Sequence, residues 1–234
     1  MPAHPRGPAV STRSRLVVLA ACAVVVLLVA WYAGSRHAPS APVPAAGTVR
    51  LGPEAGEEVA AYLARVPATL PAGGDHAPAL VQLSAAATPA EAVAAVAGTT
   101  PLTAVFRVPL PRVQTALRFE DLEPGVPPAT ALDNARVRAQ QAAATDARLP
   151  GRPGAVAAAE AATLAGADCR CVVALVVDGD RASLGAVVGR PAVRAVEAAP
   201  PGTAGRELAL APLLPEQTVR ADPLPDDGPV PAEP

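Results

Sequence analysis

The stretch CVVALVVDGD at residues 171–180 decides the fold, because it opens a strand-helix-strand unit. The apolar run 172–177 is typical of a central strand covered on both faces, and an Asp-Gly pair often closes a strand. RASLGAVVGR at 181–190 then predicts a helix, and AVRAVEAAP from Ala192 predicts a second strand.

The same order of elements is predicted earlier in the chain, in ALVQLS at 79–84, TPAEAVAAVAG at 88–98 and LTAVFRVPLP at 102–111. Thr88, Pro89 and Glu91 suit the start of the helix. Corresponding apolar residues of the two units lie at offsets of 93, 91 and 91 residues, in the pairs Leu80/Val173, Val93/Leu184 and Val105/Val196.

These near-constant offsets predict duplicated β-α-β units. We therefore expect a ferredoxin-like α+β domain, with a four-stranded antiparallel sheet and both helices on one face. Pro109 and Pro111 cannot donate hydrogen bonds to a neighbouring strand, so we place the strand that begins near Leu102 at a sheet edge.

The insert at residues 112–168 separates the two units and is too long for a loop without structure. Alanine-rich segments at 131–149 and 155–165 predict two helices, and PGRPG at 150–154 predicts the break between them. We expect a helical hairpin that docks weakly, because alanine buries little apolar area. Whether it moves stays open.

The α+β domain is predicted at residues 53–210 and begins with a helix in PEAGEEVAAYLARV at 53–66. A Pro- and Ala-rich stalk at 34–52 precedes the domain, and an acidic Pro-rich tail at 211–234 follows it. We predict that the tail is disordered beyond about Arg220, because it has few large apolar residues to bury. A tail that a partner grips in a polyproline conformation is the alternative.

LVVLAACAVVVLLVAWYA at residues 16–33 contains no charge. As a helix it would rise about 27 Å, close to the ~30 Å hydrocarbon core of a bilayer. Arg13 and Arg15 precede it, and Trp31 and Tyr32 lie at its end, where amphipathic rings favour the headgroup boundary. We predict a single-pass transmembrane helix that uses the lipid bilayer as a partner. The positive-inside rule places residues 1–15 in the cytoplasm and the domain outside the plasma membrane.

A cleaved signal peptide is the alternative for the same segment, because secretory signals also combine a basic start with an apolar run. Cleavage after Ala33 would put Trp31 at a position that requires a small side chain. This favours an uncleaved signal anchor, although the sequence leaves cleavage open.

The charged residues exclude several functions. All nineteen basic residues are Arg, which excludes a Walker-type phosphate loop and a Schiff-base lysine. Four of them lie at or before Arg36. The rest of the chain has fifteen Arg and twenty-one Asp and Glu, so its net charge is about −6. Aromatic residues make up 2% of the chain. Nucleic acid is therefore not an expected partner.

Cys169 and Cys171 are the first candidates for chemistry, because thiols of an exported chain meet an oxidising compartment. In an extended strand their Cα atoms would lie about 6.5 Å apart, so an internal disulfide requires a kink. A bridge between chains, free thiols, a redox pair activated by Arg170 and a metal site are the alternatives. In the region predicted to lie outside the cell, only His37 and His76 could add imidazole ligands, and we assign no metal or cofactor.

Other candidate residues carry less chemistry. His76 could be a base oriented by Asp75, but a solvated loop histidine is the simpler interpretation. The D-G-D at 178–180 resembles part of a calcium loop whose other positions are missing. We assign no catalytic residue.

The layout resembles a group of uncharacterised actinobacterial single-pass membrane proteins. The resemblance rests on the anchor, the Arg-only basic set and the peptides FRVPLP at 106–111, CRCV at 169–172 and LLPEQ at 213–217. It implies a location in the membrane and gives no information about activity. The β-α-β units also resemble protease propeptides, in topology alone.

We therefore expect a membrane-anchored, non-catalytic interaction module of the cell envelope, with an envelope protein or a second copy of the chain as partner. One alternative is a thiol-redox or metal-handling protein that uses Cys169 and Cys171. Another is a propeptide-like inhibitor or chaperone of an exported protease.

Overall fold

The computed structural model describes residues 48–231. The predicted anchor, with Arg13, Arg15, Trp31 and Tyr32, lies outside the described residues. Within residues 48–231, no helix is long and apolar enough to cross a bilayer.

The fold is a mixed α+β arrangement with two β-sheets. The larger sheet contains β2 (Ala77–Ala87), β3 (Thr100–Phe106), β4 (Arg118–Asp121), β5 (Val172–Gly179) and β6 (Val193–Ala198). Their order is β4-β3-β5-β2-β6, and all neighbouring strands are antiparallel. The smaller sheet pairs β1 (Val49–Leu51) in parallel with β7 (Leu208–Leu210).

The α-helices of the described residues are α1 (Val59–Arg65), α2 (Pro89–Ala95), α3 (Pro128–Asp146), α4 (Arg152–Leu164) and α5 (Arg181–Val188). Short 3₁₀ helices follow at Val66–Thr69 and Gly205–Glu207. Thr88 and Glu91 form a capping box that starts α2, and Asp180 accepts a hydrogen bond from the Ser183 amide to start α5. Each cap lies close to the end of the preceding strand.

The two β-α-β units, β2-α2-β3 and β5-α5-β6, interleave their strands in the larger sheet, because β5 lies between β3 and β2. β5 is buried along nearly its whole length, as expected of a central strand. Leu80 and Val173 face the same side of the sheet, whereas Val105 and Val196 belong to cores on opposite sides. The offset of 91 residues therefore does not align equivalent positions in the last strand of each unit.

Separate apolar cores cover the two faces of the larger sheet. Helices α2, α3, α4 and α5 all contribute to one core, on the face of Val81, Leu175 and Phe106. Leu51 of β1 and the partly buried Leu208, Leu210 and Leu214 cover the opposite face. A third cluster packs Val59 and Tyr62 of α1 against Ala195 of β6, together with Leu213.

The insert at residues 112–168 contains the expected helical hairpin, formed by α3 and α4. Buried alanines of α3 recur every four residues, at Ala131, Ala135, Ala139 and Ala143. The insert also contains β4, which the sequence did not predict. Because Phe119 and Arg118 of β4 pair with Val105 and Phe106, β3 is not an edge strand. Pro109 and Pro111 lie beyond the end of β3 and leave this pairing intact.

Both predicted proline-rich boundaries differ in the structure. β1 lies inside the predicted stalk, where it pairs with β7. In the tail that we predicted to be disordered, Leu213 and Ala221 are buried. The Leu213 amide donates to Gln82 Oε1 at 2.6 Å, and the Ala221 amide donates to the Glu57 carbonyl at 2.9 Å. Backbone hydrogen bonds and single apolar side chains hold this segment, so its low hydrophobicity was a poor guide.

Candidate functional site

Cys169 and Cys171 lie just before β5 and are within disulfide distance of each other. Their Cα atoms are 5.4 Å apart, closer than in an extended strand, because the chain bends at Arg170 and β5 begins only at Val172. Both residues are buried. Arg170 forms an ion pair with Glu91, in which Nη1 lies 2.9 Å from Oε1. The pair is therefore enclosed within the larger core.

The other candidates from the sequence make local contacts. His76 Nδ1 lies 2.7 Å from Asp178 Oδ2, so its partner is Asp178 and not Asp75. The hydrogen bond to this carboxylate raises the pKa of the exposed His76 ring. Asp180 accepts hydrogen bonds from Ser183 and caps α5. Among residues 48–231, no group of three or more His, Cys, Asp or Glu side chains could hold a metal ion.

Glu197 of β6 is a buried carboxylate that joins several segments. It accepts hydrogen bonds from the Gly52 amide at 2.5 Å, from Tyr62 Oη at 2.9 Å and from Arg65 Nη1 at 3.0 Å. Tyr62 Oη also accepts a hydrogen bond from Gln82 Nε2. Burial raises the pKa of Tyr62, so the phenol stays protonated and keeps donating to Glu197. This cluster fastens α1 to β2 and β6.

A groove near the α3-α4 hairpin holds the end of the described chain. We call residues 223–231 the tail segment. The tail groove is lined by residues 109–114 on one side and by Leu149, Arg152 and Ala155 on the other. None of these residues was singled out as a site from the sequence.

The acidic pair of the tail segment lies among hydrogen-bond donors of the tail groove. Asp226 Oδ1 accepts hydrogen bonds from the backbone amide of Gln114 at 3.1 Å and from Arg152 Nη2 at 2.9 Å. Asp227 pairs with Arg112. The Arg152 guanidinium and the Gln114 amide lower the pKa of Asp226, and Arg112 lowers the pKa of Asp227. Both carboxylates are therefore held in their charged form.

Gly228 follows the acidic pair and lies against the backbone of the tail groove. Its amide donates to the Arg112 carbonyl at 2.7 Å, and its own carbonyl accepts from Arg152 Nη1 at 3.0 Å. A Cβ atom at this position would lie 2.4 Å from the Pro111 carbonyl oxygen. The close approach at residue 228 therefore requires glycine.

Arg112, on the wall of the groove, has an unusual backbone conformation. It is the only non-glycine residue between residues 48 and 231 with a positive φ, at 56°.

Two cavities flank these polar contacts. Leu224 and Pro225 border a cavity of about 310 Å³ together with Leu110 and Val113. At the other end, Val230 and Pro231 border a cavity of about 390 Å³ against the ends of α3 and α4. Arg107 and Glu216 also line the first cavity, where Arg107 Nη1 lies 2.7 Å from Glu216 Oε1 in an ion pair. The peptides FRVPLP and LLPEQ therefore meet beside the tail groove.

A buried ion-pair cluster lies next to Asp226. Arg118 contacts Glu160 Oε2 at 2.6 Å and Asp146 Oδ2 at 2.9 Å, and Glu160 also accepts from the Ala116 amide. Burial alone would lower the pKa of Arg118, but hydrogen bonds to the two carboxylates raise it. These residues connect the floor of the groove to α3 and α4.

Sequence reasoning missed the tail groove because its partners are about 75 to 115 residues apart. The available signals were two arginines beside Pro and Gly residues, and one acidic pair followed by glycine. No protein-family model, curated protein or solved structure matches this chain.

Proposed function

We propose that the chain is a membrane-anchored interaction module of the cell envelope that binds a protein partner without catalysis. The tail groove carries this proposal, because it holds a segment without helix or strand through both side-chain and backbone hydrogen bonds. Protein surfaces that recognise extended peptides use the same combination.

The fold assignment that goes with this proposal is a ferredoxin-like domain. The antiparallel order β3-β5-β2-β6, with two interleaved β-α-β units, supports it. Residues of α2 and α5 also belong to one core on one face of the sheet. On this assignment, the chain between β3 and β5, which includes β4 and the α3-α4 hairpin, is an insertion between the units and supplies both walls of the tail groove.

The proposed location is the outer face of the plasma membrane. The uncharged residues 16–33 and the preceding arginines support an anchor, and two cysteines at disulfide distance agree with an oxidising compartment. A C-terminal alkaline phosphatase fusion, which is active only after export, should be active in cells. A matched fusion to a protein that fluoresces only in the cytoplasm should stay dark, and the opposite pattern would refute this topology.

The two alternative functions have less support. A thiol-redox or metal role for Cys169 and Cys171 would require a buried pair to become exposed. A propeptide-like contact through the sheet face opposite the four helices would have to displace Leu51 and its partly buried neighbours. Such a contact through the tail would use the same groove as the function proposed here.

Site-specific photo-crosslinking in cells tests the interaction. The full-length chain carries the crosslinking residue at Gln114, on the wall of the tail groove, or at the exposed Val188 of α5 as a control. We expect a discrete product with an envelope protein or a second copy from position 114 only. The same products from both positions would contradict the proposal.

The structure also defines how a tail deletion should be made for this test. Removal of residues 212–234 would take away the buried Leu213 and its hydrogen bond to Gln82. A stop after Asp222 removes the tail segment and keeps these contacts. Only this shorter deletion separates loss of the tail from loss of folding.

A further inference from the structure

The contacts of the tail groove select a particular sequence. Two donors converge on Asp226 Oδ1, and a guanidinium meets Asp227. At residue 228 the groove excludes a side chain, because a Cβ atom would also lie 2.8 Å from the Arg112 carbonyl oxygen. The groove therefore fits an acidic pair followed by glycine.

The residues before the acidic pair add shape to this selection. Gln114 Nε2 donates to the Leu224 carbonyl at 2.5 Å, and Leu224 and Pro225 close the neighbouring apolar cavity. The prolines at 223, 225, 229 and 231 restrict the backbone of the free segment, which lowers the entropy lost on binding. The best ligand is thus a peptide that contains proline and bends at its glycine.

The tail segment is held differently from the chain that precedes it. Leu213 and Ala221 are buried and fix the chain up to residue 221. The side chains of Asp226 and Asp227 are 46% and 63% exposed, and salt screens ion pairs in such positions. The tail segment can therefore leave its groove while Leu213 and Ala221 stay in place.

On the basis of the proposed function, we infer that the tail groove binds an acidic-acidic-glycine segment of a partner protein, and that the tail segment is its competitor within the chain. A tethered occupant has an effective concentration of order millimolar. A partner segment must therefore match the groove well, including glycine at its third position, in order to displace the tail.

Binding of a synthetic peptide to the full-length chain in detergent micelles tests this inference. The probe is a fluorescein-labelled peptide with the sequence of residues 221–231, ADPLPDDGPVP. The open-groove variant carries Asp226→Asn, Asp227→Asn and Gly228→Ala, so its own tail no longer fits. We expect it to bind the peptide about tenfold more tightly than the wild-type chain, because the tethered competitor is gone.

Matched changes show whether the binding uses the groove. Arg152→Ala in the open-groove variant should weaken binding about tenfold, as should alanine in place of glycine in the peptide, because each removes contacts at residues 226 and 228. Arg206→Ala removes the same charge at an exposed site, where the side chain is 84% accessible, and should change nothing. If the triple variant is misfolded by circular dichroism, the variant with only the two Asp→Asn changes replaces it.

Several outcomes would overturn the inference. Equal binding of the glycine and alanine peptides would show that the groove does not select the sequence. A concentration-dependent dimer of the wild-type chain that the open-groove variant lacks would assign the occupant to a second copy. Crosslinks from Gln114 in cells without peptide binding would leave the proposed function standing and refute this ligand. Peptide binding without crosslinks would leave the sequence preference of the groove standing and refute the proposed partner in cells.

Discussion

Arg112 combines a left-handed backbone with a side chain that pairs with the tail segment. The left-handed conformation costs a non-glycine residue about 1–2 kcal/mol relative to the right-handed one. We predict that Arg112→Gly is more stable than Arg112→Ala by about 1 kcal/mol, because both variants lose the ion pair and only glycine relieves the strain. Urea denaturation of the two variants measures this difference. Equal stabilities would mean that the position is unstrained.

Glu197 is the residue on which the α1 contacts depend, since a single carboxylate serves three donors. Glu197→Gln should lower the free energy of unfolding by about 2–4 kcal/mol, because the amide cannot replace the charge opposite Arg65 and places an NH₂ group among donors. Chemical denaturation compares this variant with Glu54→Gln, which changes a carboxylate that is 71% exposed. Similar losses in both variants would contradict a structural role for the buried carboxylate.

At the scale of elements, the Cys171 amide donates to the Ala87 carbonyl at 3.1 Å and joins the start of β5 to the end of β2, and Cys169 lies within disulfide distance of Cys171. A disulfide between residues only two apart closes a very short loop, so it restricts the unfolded chain little. We predict that alanine at both positions leaves the protein folded and costs about 1–2 kcal/mol. Thermal unfolding with and without reductant measures this effect. Complete loss of folding would show that the pair does more than close the loop.

The elements that sequence reasoning could predict have local causes. α2 begins at Thr88 because a capping box lies within four residues, and β5 is central because six apolar residues follow one another. β4 has only four residues with two on each face, so its place depends on the free edge of β3, far away in sequence. The tail groove likewise depends on Arg112, Arg152 and Asp226 meeting across the insert. No local pattern contains such contacts.

At the scale of the whole molecule, pH should control whether the tail segment stays in its groove. The pKa values of Asp226 and Asp227 are lowered in the folded chain. A carboxylate whose pKa is lowered stabilises the docked state when the pH is above its ordinary pKa, which is 3.8 for Asp. This stabilisation is lost as the pH falls through the lowered pKa. We therefore predict that the tail segment stays docked at neutral pH and is released in acid.

Hydrogen exchange of the Gly228 amide, which donates to the Arg112 carbonyl, reports this release. Protection should fall below about pH 4 and also at about 1 M salt, where exposed ion pairs are screened. A chain with Asp226→Asn and Asp227→Asn should lack protection at every pH. Protection that survives in acid would show that backbone contacts alone retain the segment.

The parallel pairing of β1 with β7 determines how the domain would carry mechanical tension. The chain enters the domain through β1 and leaves β7 toward the tail, and the two strands run in the same direction. A pull between residues 48 and 211, just outside the two strands, therefore loads their hydrogen bonds together, in shear, and leaves the five-stranded sheet outside the direct path. Single-molecule pulling between these residues should separate the β1-β7 pair before the larger sheet unfolds. If the sheet unfolded first, force would have to reach it by another route.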